Sequence, residues 1–376
     1  MNRDYQICTR CIMDTTDPKI TFDEEGICNH CRRYERRAQK EIHYDYAGQI
    51  KLQQIVDEIK KDGKNKEYDC IIGLSGGVDS TTVAYRVKQL GLRPLAVHLD
   101  NGWDDELAAN NVENILKKLD IDLLTYVLDW DEFKDLQLSF LKASVPNCEI
   151  PTDHAIVSLL YHTATKKNIR YIISGGNIVT EAIMPFSWGY RNMDWKYIKS
   201  IHKKSGTVKL KTFPHLSLFD WVYYSFAKRI KVIPVLNYIP YVKQNAKKFI
   251  EKELGWKDYG PKHFESIYTR FFQAYILPTK FGFDKRKAHL STLICSGQMT
   301  RQHALEEMKH SPYPNDQMLK EDRKYVLKKL GLTEQEFERI MFKPVRSFKE
   351  YPNNNFWFEK LNFVVVLAHK IATCNY

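Results

Sequence analysis

The chain has 376 residues, enough for one large domain or two ordinary ones with an ample core. Its formal net charge of +11 suits anionic partners such as nucleotides, nucleotide sugars or RNA without choosing among them. No apolar run approaches the roughly 18 residues a spanning helix needs, and the N-terminus is polar, so the reading is a cytoplasmic protein with no membrane partner and no secretory signal. The longest apolar stretch, Leu361 to Ile371, is too short to cross a bilayer. Eight cysteines in such a chain argue for metal or thiol chemistry rather than disulfides.

The first motif is Cys8-x2-Cys11 followed, after sixteen residues, by Cys28-x2-Cys31. Four thiolates in two knuckles satisfy tetrahedral Zn²⁺ unaided, and the spacing is that of a zinc ribbon. His30 reads as a bystander, because four cysteines already close the coordination shell. The role expected is therefore structural. Arg32 to Gln39 reads as a solvated basic helix, and the lysine-rich stretch 60–66 as a polar linker.

An apolar strand over 70–74 then ends in Ser75-Gly76-Gly77-Val78-Asp79-Ser80, with a helix expected from Ser80 to a stop at Gly91. Adjacent glycines let backbone N–H groups point inward, and the helix presents its positive end to the same spot. Asp79 adds a carboxylate for Mg²⁺, and Ser75 and Ser80 add hydroxyls. The product is a cradle for pyrophosphate. It is not a Walker loop, since no G-x-x-x-x-G-K-[ST] occurs. It resembles the PP-loop signature of ATP pyrophosphatases, which split ATP between the α and β phosphates.

The second strand, 95–99, ends near Asp100, which with His98 falls where adenosine would lie at the carboxyl end of a parallel sheet. A core histidine bonded to a backbone carbonyl is an equally good reading of His98. Helices around Ala108–Leu119 and from Thr152, with strands at 123–128 and 170–173, continue a βα alternation that means a doubly wound parallel sheet. The fourth strand ends in a second glycine turn, Gly175-Gly176-Asn177, at the same sheet edge. Cys148 reads as a structural or substrate-lining thiol, and Asp153 as a helix-dipole carboxylate before a catalytic one.

Beyond Val179 the periodicity weakens. The stretch from Thr180 to Arg191, with Glu181, Trp188 and Arg191, has the side chains that line sites. The lysines of 195–211 read as a solvated face and 213–239 as core helices. If 259–273 is helical, Lys262, Glu265, Thr269 and Gln273 share one face while His263 and Glu265 point apart. Lys280, Lys285 and Arg286 follow, cations able to neutralise phosphate or a sugar carboxylate.

Taken together, the cysteine pairs, Ser75–Ser80, Gly175-Gly176-Asn177 with Glu181, Ser187-Trp188-Gly189-Tyr190, Lys262-His263-Phe264-Glu265-Ser266, Thr269-Arg270-Phe271, Lys280-Phe281-Gly282, Asp284-Lys285-Arg286, His289-Leu290-Ser291 and Ser296-Gly297-Gln298 resemble the N-acetyl sugar amidotransferase family of bacterial polysaccharide and flagellin-sugar biosynthesis, over about residues 5–310. The resemblance implies an adenine nucleotide α-hydrolase-like fold: a zinc ribbon (1–45), a PP-loop ATP-binding domain (46–185) and a mostly helical substrate or partner region (186–376). It implies an ATP-dependent enzyme that adenylates a sugar N-acetyl oxygen and replaces it with ammonia, giving an acetamidino sugar, AMP and pyrophosphate.

In that reading Ser75, Gly76, Gly77, Val78, Asp79, Ser80, His98, Asp100, Gly175, Gly176 and Asn177 hold the nucleotide. Asp79, Glu181, Lys262 and Glu265 are catalytic, and Trp188, Arg191, Thr269, Lys280, Lys285 and Arg286 hold the nucleotide sugar. Ammonia comes from a glutaminase through a barrel partner, both similar to the subunits of imidazole glycerol phosphate synthase, since no glutaminase nucleophile motif is seen here. A PP-loop tRNA-modifying enzyme is the alternative, although only one cysteine stands near Cys148 where some tRNA thiolases carry a pair. A non-catalytic ATP-binding scaffold fits least well with an intact Asp79 and two glycine turns.

Overall fold

Five parallel strands organise the computed structural model, which describes residues 4–360; the apolar stretch 361–371 lies outside the described residues. They are β1 (Cys70–Gly73), β2 (Pro94–Asp100), β3 (Leu123–Val127), β4 (Tyr171–Ser174) and β5 (Lys231–Pro234), in the spatial order β3-β2-β1-β4-β5. The central strands feed two cores by simple alternation. Ile71, Leu95, Val97 and Ile172 enter one, while Ile72, Ala96, Tyr171 and Ile173 enter the other. A sheet apolar on both faces needs helices on both.

Helices α1 (Asn29–Glu41) and α2 (Tyr46–Gly63) precede the sheet, and α3 (Val78–Gln89), α4 (Glu106–Leu119), α5 (Trp130–Ala143) and α6 (Ile150–Lys166) connect its first four strands. Val56 and Ile59 of α2, Val83 and Val87 of α3, and Val112 and Leu116 of α4 cover one face. Phe133, Leu136 and Phe140 of α5, with Ala155 and Leu159 of α6, cover the other. The doubly wound α/β architecture expected from the alternation is what forms. Between β4 and β5 lie α7 (Ile178–Glu181), α8 (Trp195–Ser205) and α9 (Leu218–Val222). The C-terminal region is helical: α10 (Lys243–Leu254), α11 (Ile267–Phe271), α12 (Arg286–Cys295), α13 (Arg301–Glu307), α14 (Asp316–Leu330) and α15 (Glu334–Phe342). No helix among the described residues is long and apolar enough to cross a membrane.

Several local expectations are corrected. The stretch 60–66 is not a linker: α2 runs through it to Gly63, capped by Asp45, because Val56 and Ile59 bury one face while the lysines occupy the other. The helix after the first glycine turn begins at Val78, with Gly77 as its N-cap. Helix α1 is not merely solvated, since Arg33 and Arg37 donate to the carbonyls of Met184 and Ala182. Residues 213–239 are not core helices. Phe219, Tyr223 and Phe226 stand 85%, 51% and 47% exposed, and the segment ends in β5, which pairs with β4 from Tyr171↔Lys231 to Ser174↔Pro234. Pro234 is tolerated there because β5 is an edge strand. The sheet therefore draws on residues beyond the 185 boundary that the sequence suggests.

Candidate active site and metal centre

β1 and β4 are neighbours, and β2 and β5 lie to either side of them, so the order reverses between them. A crevice forms at such a switch point, outside the carboxyl ends of the strands. Both glycine turns open into it. Gly76 has φ +77°, and a Cβ there would meet the Ala108 carbonyl oxygen at 2.8 Å, so the turn requires glycine. Its own carbonyl accepts from the indole N–H of Trp256 at 2.8 Å. The next residue, Gly77, caps α3 without a side chain, which leaves first-turn N–H groups for a ligand. Ser75 and Ser80 hydroxyls lie 3.3 Å apart and brace the loop internally.

The crevice deepens into a cavity of about 930 Å³. Ser75, Gly77, Val78, Asp79, Ser80, Gly175, Gly176 and Glu181 line it, together with Lys262, Glu265, Lys285 and Arg286. Lys262 Nζ donates to Glu181 Oε1 at 2.7 Å. Burial pushes the Glu181 carboxyl up, but Lys262 outweighs it and holds the carboxyl below its ordinary value. Burial likewise pulls the Lys262 ammonium down, and Glu181 with Asp79 more than offsets it. The pair is ionised. Asp79 accepts from the Tyr241 hydroxyl, whose pKa is raised by burial and by the Asp79 charge. A single carboxylate facing a phosphate cradle fits Mg²⁺, which prefers one or two carboxylates plus phosphate oxygens.

Other expected site residues stand elsewhere. His98 Nδ1 bonds to the Leu74 carbonyl at 2.8 Å and Nε2 to Asp104 at 3.0 Å, which is the core-histidine reading. Asp100 accepts from the Gly102 N–H in its own turn. Asn177 caps α7 through Thr180 and donates to the Gly175 carbonyl, so its amide is consumed by the loop it shapes. Trp188 is buried and stacked on Phe283 at 4.6 Å. Arg191 lies over Phe186 and Phe358. The Thr269 N–H donates to Ser266 Oγ in the first turn of α11. Lys280 donates to the carbonyls of Ile340, Met341 and Lys343, closing the end of α15. None of these seven lines the cavity.

The expected helical face over 259–273 does not form, because Gly260-Pro261 interrupts it and α11 begins only at Ile267. The Gly260–Ser266 segment is a loop, and that is what brings His263 and Glu265 to one wall with Nδ1 and Oε1 3.7 Å apart. Tyr241, Lys243, Trp256, Tyr259, His263 and His289 are site residues that the sequence reading did not assign. The Gly-Pro break beside a His and a Glu was the available signal for His263; the others carry none. Lys243, at the start of α10, lines the cavity, and burial lowers its pKa against the pull of Asp79 and Glu181. Cys148 is a buried structural thiol donating to the Val145 carbonyl. The Asp153 carboxyl is pushed up to about 7 by burial and by the Glu149 charge.

The four N-terminal cysteines converge as expected. Cys8–Cys31, Cys11–Cys28 and Cys28–Cys31 sulfurs lie 3.9, 3.7 and 3.7 Å apart, all buried. A tetrahedron with Zn–S bonds of about 2.3 Å has sulfurs about 3.8 Å apart, so the set fits zinc. Backbone N–H groups of Cys11, Met13 and Cys28 donate to the sulfurs, as negatively charged thiolates demand. His30 bonds instead to Asp17 at 2.7 Å. The ribbon is clamped to the helices that flank the cavity: Arg301 donates to the Cys8 and Cys11 carbonyls, and the Ile12 N–H donates to Ser291 of α12.

Two family profiles match the chain. One, described as NAD synthase, covers residues 51–213; the other, described as LPS biosynthesis protein WbpG-like, C-terminal domain, covers 265–363. The two matches agree with a PP-loop sugar amidotransferase family. The cavity is lined by residues of both matched segments and by residues between 242 and 264, which neither match covers. Each match covers less than half of the chain, the first over its glycine turns and the second over its C-terminal region. No curated protein matches.

Among solved structures, the NH3-dependent NAD synthetase of Campylobacter jejuni shares 21% identity over 35% of this chain and 58% of its own, with TM-score 0.27. The chain thus spans little more than half of that protein. NMN synthetase from Francisella tularensis shares 15% identity over 55% and 87% of the two chains, TM-score 0.29. A predicted subunit of tRNA methyltransferase from Methanocaldococcus jannaschii shares 17% over 48% and 74%, TM-score 0.28.

Proposed function

We propose that this protein adenylates the N-acetyl oxygen of a nucleotide sugar and replaces that oxygen with ammonia, releasing AMP and pyrophosphate and leaving an acetamidino sugar. The observation that carries the reading is the shared cavity, lined both by Ser75, Gly77, Val78, Asp79 and Ser80 of the first glycine turn and by the cations Lys262, Lys285 and Arg286. An amide carbon is a poor electrophile and its oxygen a poor leaving group. Transfer of the adenylyl group to that oxygen corrects both, and ammonia can then displace AMP.

The loop N–H groups and the start of α3 would take the pyrophosphate charge, with Lys243 beside them. Asp79 would hold Mg²⁺, which when bound offsets phosphate charge. Trp256 and Tyr241 fix the loop and Asp79 in place beforehand, so little reorganisation is needed at the reacting phosphate. The Lys262–Glu181 pair would orient the α-phosphate side of the nucleotide. Ammonia would come from a separate glutaminase through a barrel partner, and the reaction would run in the cytoplasm, where ATP and nucleotide sugars meet.

Mass spectrometry of a panel of UDP- and CMP-linked N-acetyl sugars, incubated with the protein, ATP, Mg²⁺ and ammonium chloride, tests this directly. Exchange of one oxygen for NH in a sugar, with AMP formed in equal amount, is the expected result. ADP and phosphate as products would overturn it.

A further inference from the structure

The cavity wall built from the 260–266 loop and α12 carries polar atoms that no protein group satisfies. Both ring nitrogens of His289, Nε2 of His263 and Oε2 of Glu265 are buried without a hydrogen-bond partner. The two imidazole rings lie 5.4 Å apart, tilted by 51°. All three residues line the cavity. A buried polar group left without a partner is costly, so a cluster of them at one place marks a position for a ligand that supplies the missing bonds. His263 adds backbone strain: its φ is +72°, left-handed in a residue with a Cβ, and such conformations gather at functional sites.

The charges around His289 select the ligand. Lys262, Lys243 and Lys285 face it together with His263, and the anions nearby are Glu265 and Glu181. Burial, then those neighbouring cations, drives the His289 imidazole well below its ordinary value. Burial lowers His263 as well, against the opposing pull of Glu265. Both rings are neutral at physiological pH and offer lone pairs. Three lysines in the surroundings disfavour a cation, while two imidazoles and a carboxylate oxygen accept hydrogen bonds from a small neutral donor.

We propose that His289, His263 and Glu265 form the subsite for ammonia, and that His289 accepts the proton the ammonia nitrogen sheds. The proposal rests on the amidotransferase reading above. In the step, the nitrogen lone pair forms the new C–N bond to the adenylylated carbon, and the C–O bond to the adenylyl oxygen breaks with its electron pair leaving on AMP. One N–H proton passes to the imidazole, which returns it to the amidine nitrogen. No oxidant or reductant is involved.

The test compares wild type with His289→Asn and His263→Asn, using a nucleotide sugar that the panel above shows to be converted. Pyrophosphate release is followed separately from amidine formation at one fixed pH, with ammonium chloride or hydroxylamine as nucleophile. General-base catalysis typically contributes about 10²–10⁴-fold. In His289→Asn, amidine formation with ammonium at a fixed pH should fall about a hundredfold more than pyrophosphate release. Hydroxylamine, a better nucleophile that is unprotonated at neutral pH, should recover part of the rate. His263→Asn should mainly raise the ammonium KM.

Equal loss of both half-reactions in His289→Asn, or loss of neither, overturns the proposal while leaving the parent reading intact. If that variant does not fold, as judged by zinc content and melting temperature, an unchanged ammonium KM in His263→Asn overturns it. A wild type that forms no AMP overturns both.

Discussion

Trp256 donates its indole N–H to the carbonyl of Gly76 across 180 residues of sequence, so the C-terminal region holds the pyrophosphate loop from outside. The bond occupies a carbonyl that the left-handed turn would otherwise leave buried, and it sets the loop before any ligand arrives. Trp256→Phe keeps the ring packing and deletes the donor. Global stability should drop by about 1–3 kcal/mol in chemical denaturation, with weaker binding of a non-hydrolysable ATP analogue by calorimetry.

Asp79→Ala should reduce AMP formation by about a hundredfold or more, the usual scale for losing one electrostatic contact aimed at the reacting centre. Zinc content should be unchanged, since Asp79 is not part of the cysteine cluster. Normal AMP formation in this variant would mean the cradle is misassigned.

Glu181 and Lys262 form a single ionised pair in the cavity, so their mutations should not add. A double-mutant cycle of Glu181→Gln and Lys262→Met, read by AMP formation, should show a coupling energy of about 1–3 kcal/mol. A coupling near zero would separate their roles.

Cys11→Ser should remove zinc and lower the melting temperature. The ribbon is tied to α12 and α13 through Ser291 and Arg301, and α12 carries His289 and begins just after Lys285, so stability and activity should fall together. Metal analysis with thermal melting checks this. A zinc-free variant that melts normally would contradict the structural role.

His154 gives the protein an acid sensitivity. Its Nδ1–H donates to the Asn192 carbonyl at 2.6 Å and its Nε2 accepts from the Leu216 N–H at 3.1 Å, an arrangement that only the neutral ring can make. Burial lowers its pKa from 6.5 to about 4. Between those values the unfolded chain binds a proton that the folded one does not. The stabilisation is therefore complete above pH 6.5 and lost as the pH falls towards 4, by roughly 3 kcal/mol in total. Melting temperatures from pH 7.5 to 4.5 should fall accordingly, and His154→Gln should flatten that slope.

The cysteine knuckles, the glycine turns at 75–77 and 174–176 and the alternation of strands and helices were legible because each is written in contiguous residues. A strand, a turn and a helix start obey local rules, and a CxxC pair carries its own geometry. The sequence by itself therefore determined the parallel sheet, the four-cysteine cluster and the position of the first glycine turn. It did not reveal that Arg270 is buried in a bidentate pair with Asp322 and a second bond to Asp105, joining α14 to α11 and the start of α4. Nor did it show β5, whose four residues carry no alternation of their own and are strand only because β4 offers an unpaired edge.

Which residues meet in the cavity was decided by tertiary structure alone. Lys262 reaches Glu181 over 81 residues and Tyr241 reaches Asp79 over 162, separations at which no periodicity survives. The polar residues His98, Asp100 and Asn177 were drawn into loop and core bonds, because a polar side chain takes whichever partner the packed chain places within reach.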